Sequence, residues 1–131
     1  MMIVPSAVGL RLSDTQQLHT YLCKTFHEQS RESFVSIAFG LDGRCLAAEH
    51  LFWGSLRQSM VYPREVLRFA LLNNAATLVI AHNHLSGDTR PSQADVRLTR
   101  RLRELLHAVE VDLAAHYIVA GQKISVVEGR F

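Results

Sequence analysis

The alternation of apolar and polar positions predicts three amphipathic helices separated by short strands. Apolar residues recur at helical spacing after Ser13, after Pro63 and after Ser92, and each of these three residues suits the start of a helix. The first helix is expected to begin with a capping box formed by Ser13 and Gln16 and to end near Ser30. Three helices of this kind need a sheet or a second helical layer against which to bury their apolar faces.

Apolar and β-branched runs between the helices predict five strands. They cover residues 31–39, 45–53, 76–81, 111–119 and 123–127. Asp42-Gly43, between the first two runs, is a hairpin signal. Strands interleaved with three helices predict one α/β (mixed α+β) domain over residues 1–131, with 1–30 as an N-terminal extension and helix and 31–131 as the core.

Composition limits the class of protein. A chain of 131 residues that is 48% hydrophobic can form one domain with a real core. The net charge of +2 is too small to imply nucleic-acid binding by itself. No stretch resembles a signal peptide or reaches the roughly 20 apolar residues of a membrane span, so a cytoplasmic protein is expected. Cys23 and Cys45 are far apart in sequence and do not form a cysteine-based zinc motif.

Two histidines at alternate positions follow the third predicted strand. Side chains two apart on a strand point the same way, so His82 and His84 could hold one metal ion between them. Asp95 falls on the apolar stripe of the third helix, where a lone carboxylate is unfavourable unless it is paired or binds a metal. Two imidazoles and one carboxylate are the ligands expected of a catalytic zinc with an open fourth position.

Hydrolysis at such a zinc requires two more groups. A second carboxylate, outside the ligand set, must move the proton of the attacking water, whose pKa the zinc lowers. A hydrogen-bond donor aimed at the developing oxyanion also helps. Ser92 lies one helical turn before Asp95 and could present its hydroxyl to the same cavity. The proton carrier must be a glutamate from elsewhere in the chain.

The spacing of these residues resembles that of a known family. His82-x-His84, seven residues, Ser92, two residues and Asp95 match the signature of the JAMM (MPN+) metalloproteases. The longer runs VYPREVLRFALLNNAATLVIAHNH and HNHLSGDTRPSQADVRLTRRL resemble the RadC-like branch of that superfamily. The resemblance covers most of the chain, from about Ser30 onward. It implies a JAMM fold related to that of cytidine deaminase, in which a mixed β-sheet is flanked by about three helices and holds one Zn²⁺.

The resemblance also implies roles for individual residues. The two histidines and the aspartate correspond to the zinc ligands, and Ser92 corresponds to the serine that assists oxyanion stabilisation. The general base of JAMM enzymes is a glutamate on an early strand, and Glu32 fits that position, with Glu49 as the second choice. JAMM enzymes typically cleave amide or isopeptide bonds, often those that attach ubiquitin-like proteins. The implied activity is therefore that of a metallopeptidase or isopeptidase acting on a peptide or isopeptide substrate.

The chain departs from the RadC-like pattern in its metal loop and near its start. Leu85 stands where the branch usually has proline, and Thr89-Arg90 stands where it usually has Pro-Thr. Both departures concern the rigidity of the loop more than its ligands. Full-length RadC proteins also carry an N-terminal helix-hairpin-helix region, and this chain resembles a short stand-alone form without that region.

Other polar residues near the motif have simpler interpretations. Asp88 could bind a metal, but beside Gly87 it is interpreted as a residue that hydrogen-bonds within the loop. The histidines outside the motif are interpreted as surface, rim or core residues; they include His50, His107 and His116.

Four arginines lie opposite the apolar stripe of the third helix, and they support the second functional hypothesis. They are Arg97, Arg100, Arg101 and Arg103. A solvated face is their first interpretation, and weak contact with nucleic acid or an acidic partner is the alternative. The corresponding hypothesis for the whole chain is a non-catalytic or DNA-associated RadC-type accessory protein, linked to DNA repair or mobile elements.

Overall fold

The structure is a computed structural model that describes residues 6–27, 29–54 and 61–129. Its helices and strands follow the predicted order along the chain. The helices are α1 (Thr15–Thr25), α2 (Pro63–Leu72) and α3 (Gln93–Ala108). The strands are β1 (Ser33–Phe39), β2 (Cys45–Trp53), β3 (Thr77–Asn83), β4 (Asp112–Ala120) and β5 (Lys123–Gly129).

One mixed sheet contains all five strands, in the order β2-β1-β3-β4-β5. The central pair β3 and β4 is parallel, and α3 makes the crossover connection that a parallel pair requires. The other three pairs are antiparallel, including the hairpin of β1 and β2 that Asp42-Gly43 predicts. A mixed sheet with three helices confirms the predicted fold class.

Two hydrophobic cores lie on opposite faces of the sheet. The core under α1 includes Leu22 of that helix together with Val79 and Ala81 of β3. The core under α2 and α3 includes Leu78 and Ile80 of the same strand. Because alternate residues of a strand face opposite sides, His82 continues the series that faces α2 and α3. The apolar pattern of β3 therefore determines which side of the sheet carries the histidines.

The first helix differs from its prediction at both ends. Asp14, not Ser13, is the N-cap, and its carboxylate accepts a hydrogen bond from the backbone N–H of Gln17. A carboxylate makes a stronger, charge-assisted bond at the positive end of the helix than a hydroxyl does. The helix ends at Thr25 rather than near Ser30, because Phe26 leaves the helical conformation and buries its phenyl ring in the core.

The other two helices begin where the sequence predicts. Pro63 occupies the first turn of α2, and Ser92 is the N-cap of α3. Leu102 and Leu106 of the predicted apolar stripe of α3 are fully buried against the sheet. Within the described part of the chain, no helix is both long enough and apolar enough to span a membrane.

Candidate metal centre

The structure brings together His82, His84 and Asp95, the three residues that the sequence predicts as metal ligands. The Nε2 atoms of the two histidines are 3.0 Å apart. His82 Nε2 lies 3.3 Å from Asp95 Oδ1, and His84 Nε2 lies 3.5 Å from Asp95 Oδ2. His82 and Asp95 are buried, whereas the side chain of His84 is 19% exposed. The cluster therefore has one accessible side, and it could hold a metal ion.

These distances fit a tetrahedral zinc ion. Ligand atoms about 2.0–2.1 Å from a tetrahedral zinc are separated from one another by about 3.3–3.4 Å. The separation of 3.0 Å between the two Nε2 atoms, and those of 3.3 and 3.5 Å from each Nε2 atom to one oxygen of Asp95, lie close to that value. Two imidazoles and one carboxylate are also a donor set that zinc accepts while keeping a fourth position open. The residues present therefore fit the metal that the sequence pattern implies.

Asp95 belongs to the cluster because of the way α3 begins. The Ser92 hydroxyl accepts a hydrogen bond from the Asp95 N–H at 3.0 Å, and Asp95 Oδ2 accepts one from the Ser92 N–H at 2.8 Å. This reciprocal capping box fixes the carboxylate in the first turn of the helix. Burial alone would raise the pKa of Asp95, but the neighbouring His82 imidazole and the hydrogen bond from the Ser92 backbone hold that pKa well below its usual value. The carboxylate is therefore ionised, as a metal ligand must be.

His84 lies just beyond the end of β3 and is oriented by the following loop. Its Nδ1 donates a hydrogen bond to the backbone carbonyl of Asp88 at 2.8 Å. A carbonyl can only accept, so the hydrogen of His84 lies on Nδ1 and its Nε2 lone pair faces the cluster. The Asp88 carboxylate binds Arg90 instead, and the hydrogen bonds from Arg90 lower its pKa to about 2. Asp88 thus serves the loop, as the sequence interpretation expects.

Glu32 lies against this same loop. Its Oε2 accepts a hydrogen bond from the backbone N–H of Leu85, the residue after His84, at 3.2 Å. The flanking backbone is tied to Asn83, which stands between the two histidines. Asn83 Oδ1 accepts a hydrogen bond from the Ser33 N–H at 2.8 Å, and Asn83 Nδ2 donates one to the Arg31 carbonyl at 3.1 Å. The asparagine therefore holds the backbone on both sides of Glu32.

Glu49, the second choice for the general base, lies elsewhere. It is on the edge strand β2 and pairs with Ser36 of β1, so one whole strand separates it from β3. Its side chain is exposed and lines a cavity of about 190 Å³ together with Glu65 and Arg68 of α2. Of the two glutamates, only Glu32 contacts the loop that follows His84.

Two buried residues that the sequence reasoning did not assign to the site contact it directly. His116 of β4 places Nε2 2.8 Å from His82 Nδ1, and its own Nδ1 lies 2.6 Å from the Thr99 hydroxyl. Burial, followed by the neighbouring His82, lowers the pKa of His116 well below its ordinary value. Thr99 lies one helical turn after Asp95, and that spacing is the signal that could have identified it.

Comparisons with known proteins agree with this geometry. A family model described as the RadC-like JAB domain matches residues 12–130. The UPF0758 protein of Chromobacterium violaceum is 44% identical over 114 residues, which are 87% of this chain and 51% of that protein. The UPF0758 protein of Thiobacillus denitrificans is 42% identical over 113 residues, 86% of this chain and 50% of that protein.

A third relative covers more of the chain. The UPF0758 protein of Stenotrophomonas maltophilia is 43% identical over 125 residues, 95% of this chain and 49% of that protein. This chain therefore spans about half the length of the curated relatives that it matches. The match to the family model includes α1, all five strands and the whole histidine and aspartate cluster. The chain belongs to the RadC-like JAB domain family.

Proposed function

We propose that this protein is a zinc-dependent hydrolase that cleaves an amide bond in a peptide or isopeptide. The observation that carries the proposal is the convergence of the ligands: the two histidine Nε2 atoms are 3.0 Å apart and lie 3.3 and 3.5 Å from the two oxygens of Asp95, while Glu32 contacts the loop that follows His84. A purely structural cluster would not need a glutamate held against the loop that follows His84. The names of the matched relatives describe no activity, so the substrate class comes from the site and the family resemblance alone.

Each residue of the site has a separate task in this proposal. His82, His84 and Asp95 bind Zn²⁺, which would supply the Lewis acidity that activates water and polarises the scissile carbonyl. Glu32 accepts the proton of the attacking water and delivers it to the leaving amine. Ser92 accepts a hydrogen bond from Asp95 through its oxygen, so its own O–H remains able to donate to the developing oxyanion.

Zinc binding is the first test of the proposal. The purified protein should bind about one Zn²⁺ per chain, and zinc at about 100 times its dissociation constant should stabilise the fold by about 2.7 kcal/mol. His82→Ala should lose binding because two protein ligands do not sustain a tight site. His107→Ala, at an exposed histidine near the end of α3, is the matched control and should bind normally. Wild-type protein that neither contains nor binds zinc would refute the proposal.

The second test concerns turnover. Glu32→Gln should keep zinc affinity and lose about 10²–10⁴-fold in kcat on a quenched-fluorescence peptide library, because it removes proton transfer and little else. Glu49→Gln makes the same chemical change one strand away and should retain activity. Full activity in Glu32→Gln would contradict the assignment of the base, and loss in Glu49→Gln alone would transfer that role.

The arginine face of α3 supports an alternative function, that of a DNA-associated accessory protein. Arg97, Arg100 and Arg101 are exposed, whereas Arg103 is partly buried. A protein that contacts the DNA backbone through such residues loses affinity steeply as salt concentration rises. The affinity for a duplex oligonucleotide should therefore be measured between roughly 50 and 200 mM salt, where a protein that contacts the DNA backbone loses affinity steeply. Charge reversal at Arg97 and Arg101 should abolish any salt-sensitive binding without affecting zinc.

A further inference from the structure

A row of buried polar side chains connects the metal cluster to the interior of the protein. His82 Nδ1 lies 2.8 Å from His116 Nε2, and His116 Nδ1 lies 2.6 Å from Thr99 Oγ1. The Thr99 hydroxyl in turn lies 2.7 Å from the main-chain carbonyl of Asp95. His116 and Thr99 are 0% exposed, so water does not supply alternative partners. The row begins at one predicted ligand and ends at the backbone of another.

The end of the row sets the direction of its hydrogens. The Asp95 carbonyl can only accept, and Thr99 has a single hydroxyl hydrogen to donate to it. Thr99 Oγ1 must then accept from His116 Nδ1, which leaves His116 Nε2 without a hydrogen. His116 Nε2 therefore accepts from His82 Nδ1. His82 then carries its hydrogen on the side away from the cluster, and its Nε2 lone pair faces the other ligands.

The opposite direction would disable the site. If Thr99 donated to His116, the hydrogen of His116 would move to Nε2 and that of His82 would move to its own Nε2. That last hydrogen would lie among the donor atoms, 3.0 Å from His84 Nε2 and 3.3 Å from Asp95 Oδ1. A protonated Nε2 cannot bind a metal. The direction of the hydrogen bonds therefore decides whether His82 is a ligand.

We propose that His116 and Thr99 are positioning residues that hold His82 in its metal-binding tautomer. His84 is held in the same tautomer by a single hydrogen bond, because its Nδ1 donates directly to the Asp88 carbonyl. His82 is buried inside β3, and it reaches a carbonyl through two side chains instead of one direct bond. The carbonyl belongs to Asp95, so the same residue supplies a ligand and terminates the row. The inference rests on the proposed function, since the tautomer matters only when a metal binds.

Zinc affinity tests the inference independently of catalysis. Thr99→Val replaces the hydroxyl by a methyl group of the same size and should weaken zinc binding about tenfold, whereas Thr99→Ser should restore it. His116→Phe should weaken binding about 10–100-fold. Thr25→Val is the matched control, because the buried Thr25 hydroxyl also donates to a helix carbonyl four residues earlier, in α1. The dissociation constants are measured by competition with a fluorescent zinc chelator.

Imidazole ¹⁵N NMR of the zinc-loaded protein gives a signature that a merely structural role would not produce. The inference requires His116 to be neutral with its hydrogen on Nδ1, and Thr99→Val should perturb that signal. A His116 hydrogen on Nε2, or unchanged affinity in both Thr99→Val and His116→Phe while the wild type binds zinc tightly, would overturn the inference alone. Absence of zinc binding by the wild type would overturn the proposed function and this inference together.

Discussion

Asn83 offers a test of how the site positions Glu32, the proposed general base. Its side-chain amide accepts from the Ser33 N–H at 2.8 Å and donates to the Arg31 carbonyl at 3.1 Å, and so holds the chain on both sides of Glu32. The regular pairing of β1 with β3 ends at Phe34 and His82, so this amide extends the connection beyond the last ladder pair. Asn83→Ala removes both bonds and leaves the neighbouring histidines in place.

The size of the effect follows from burial. Asn83 is 4% exposed and Ser33 is 2% exposed, so the substitution leaves a buried N–H without its partner. Such an unsatisfied donor lowers the free energy of unfolding by about 1–3 kcal/mol. Asn83→Ala should also lower kcat, because it frees the backbone on both sides of Glu32. A displacement of about 1 Å in a catalytic group can reduce the rate by roughly 10²-fold. The loss of kcat in Asn83→Ala should not exceed that of Glu32→Gln, which removes the base completely.

The assay combines kinetics with one measurement that needs no substrate. Asn83→Ala should lower kcat on the peptide library about 10–100-fold and should leave the zinc dissociation constant unchanged. The double variant Asn83→Ala/Glu32→Gln should be no slower than Glu32→Gln alone, because both act through the same carboxylate. In the NMR spectrum, the Leu85 amide that donates to Glu32 should shift and exchange faster.

Asn73→Ala is the control for this prediction. The Asn73 side chain also donates to a backbone carbonyl, at 2.8 Å, but it does so at the end of α2 and away from the cluster. It should affect stability without affecting kcat. Additive losses in the double variant, or a fall in zinc affinity that matches the fall in kcat, would refute the idea that Asn83 acts through Glu32.

Three further predictions concern the frame of the site. Leu102→Ala, at a side chain with 0% exposure, should lower the free energy of unfolding by about 2–5 kcal/mol in urea titrations. Leu72→Ala is the control, because Leu72 is 69% exposed, and it should change that free energy by less than about 0.5 kcal/mol. Ser92→Gly should destabilise α3 by only a few tenths of a kcal/mol yet lower kcat by roughly 10²–10³-fold; a normal kcat would exclude the hydroxyl from oxyanion stabilisation. Burial raises the pKa of Tyr21 to about 12. The stability that its neutral phenol contributes is therefore complete below about pH 10, the unfolded pKa, and is lost as pH rises through the folded pKa. In unfolding titrations between about pH 9 and 12, the free energy of unfolding of Tyr21→Phe should decline less than that of the wild type.

Local patterns predicted most of the fold and the three residues that the structure brings together in the candidate metal centre. The period of apolar positions determines each helix and strand, and the spacing of His82 and His84 has meaning on any strand. Asp95 was predictable because a capping position and an inward helical position coincide at one residue. Ser13 was chosen wrongly as the first cap because Ser13 and Asp14 are both good capping residues, and only the observed bond to Gln17 distinguishes them.

Long-range pairing determines what the local patterns could not predict. Asn83 binds Ser33 across 50 positions, and His82 contacts His116 across 34 positions. Sequence periodicity contains no information about which residues of two distant strands become neighbours. The two positioning groups that we propose, the Asn83 amide and the His116 imidazole, both depend on that register.

His116 shows how strongly the register matters. Strict alternation along β4, counted from Leu113, would place Ala115 and Tyr117 with Leu113 and would turn His116 toward α1. Instead Leu113 packs in the core under α2 and α3, whereas Ala115 and Tyr117 pack in the core under α1. The pairing of β3 with β4 shifts between Leu78 and Val79, which is a β-bulge or similar irregularity, and beyond it the side chains of β4 have exchanged faces. This single shift places a buried imidazole beside His82, so the second histidine of the row depends on an irregularity that no alternating pattern would predict.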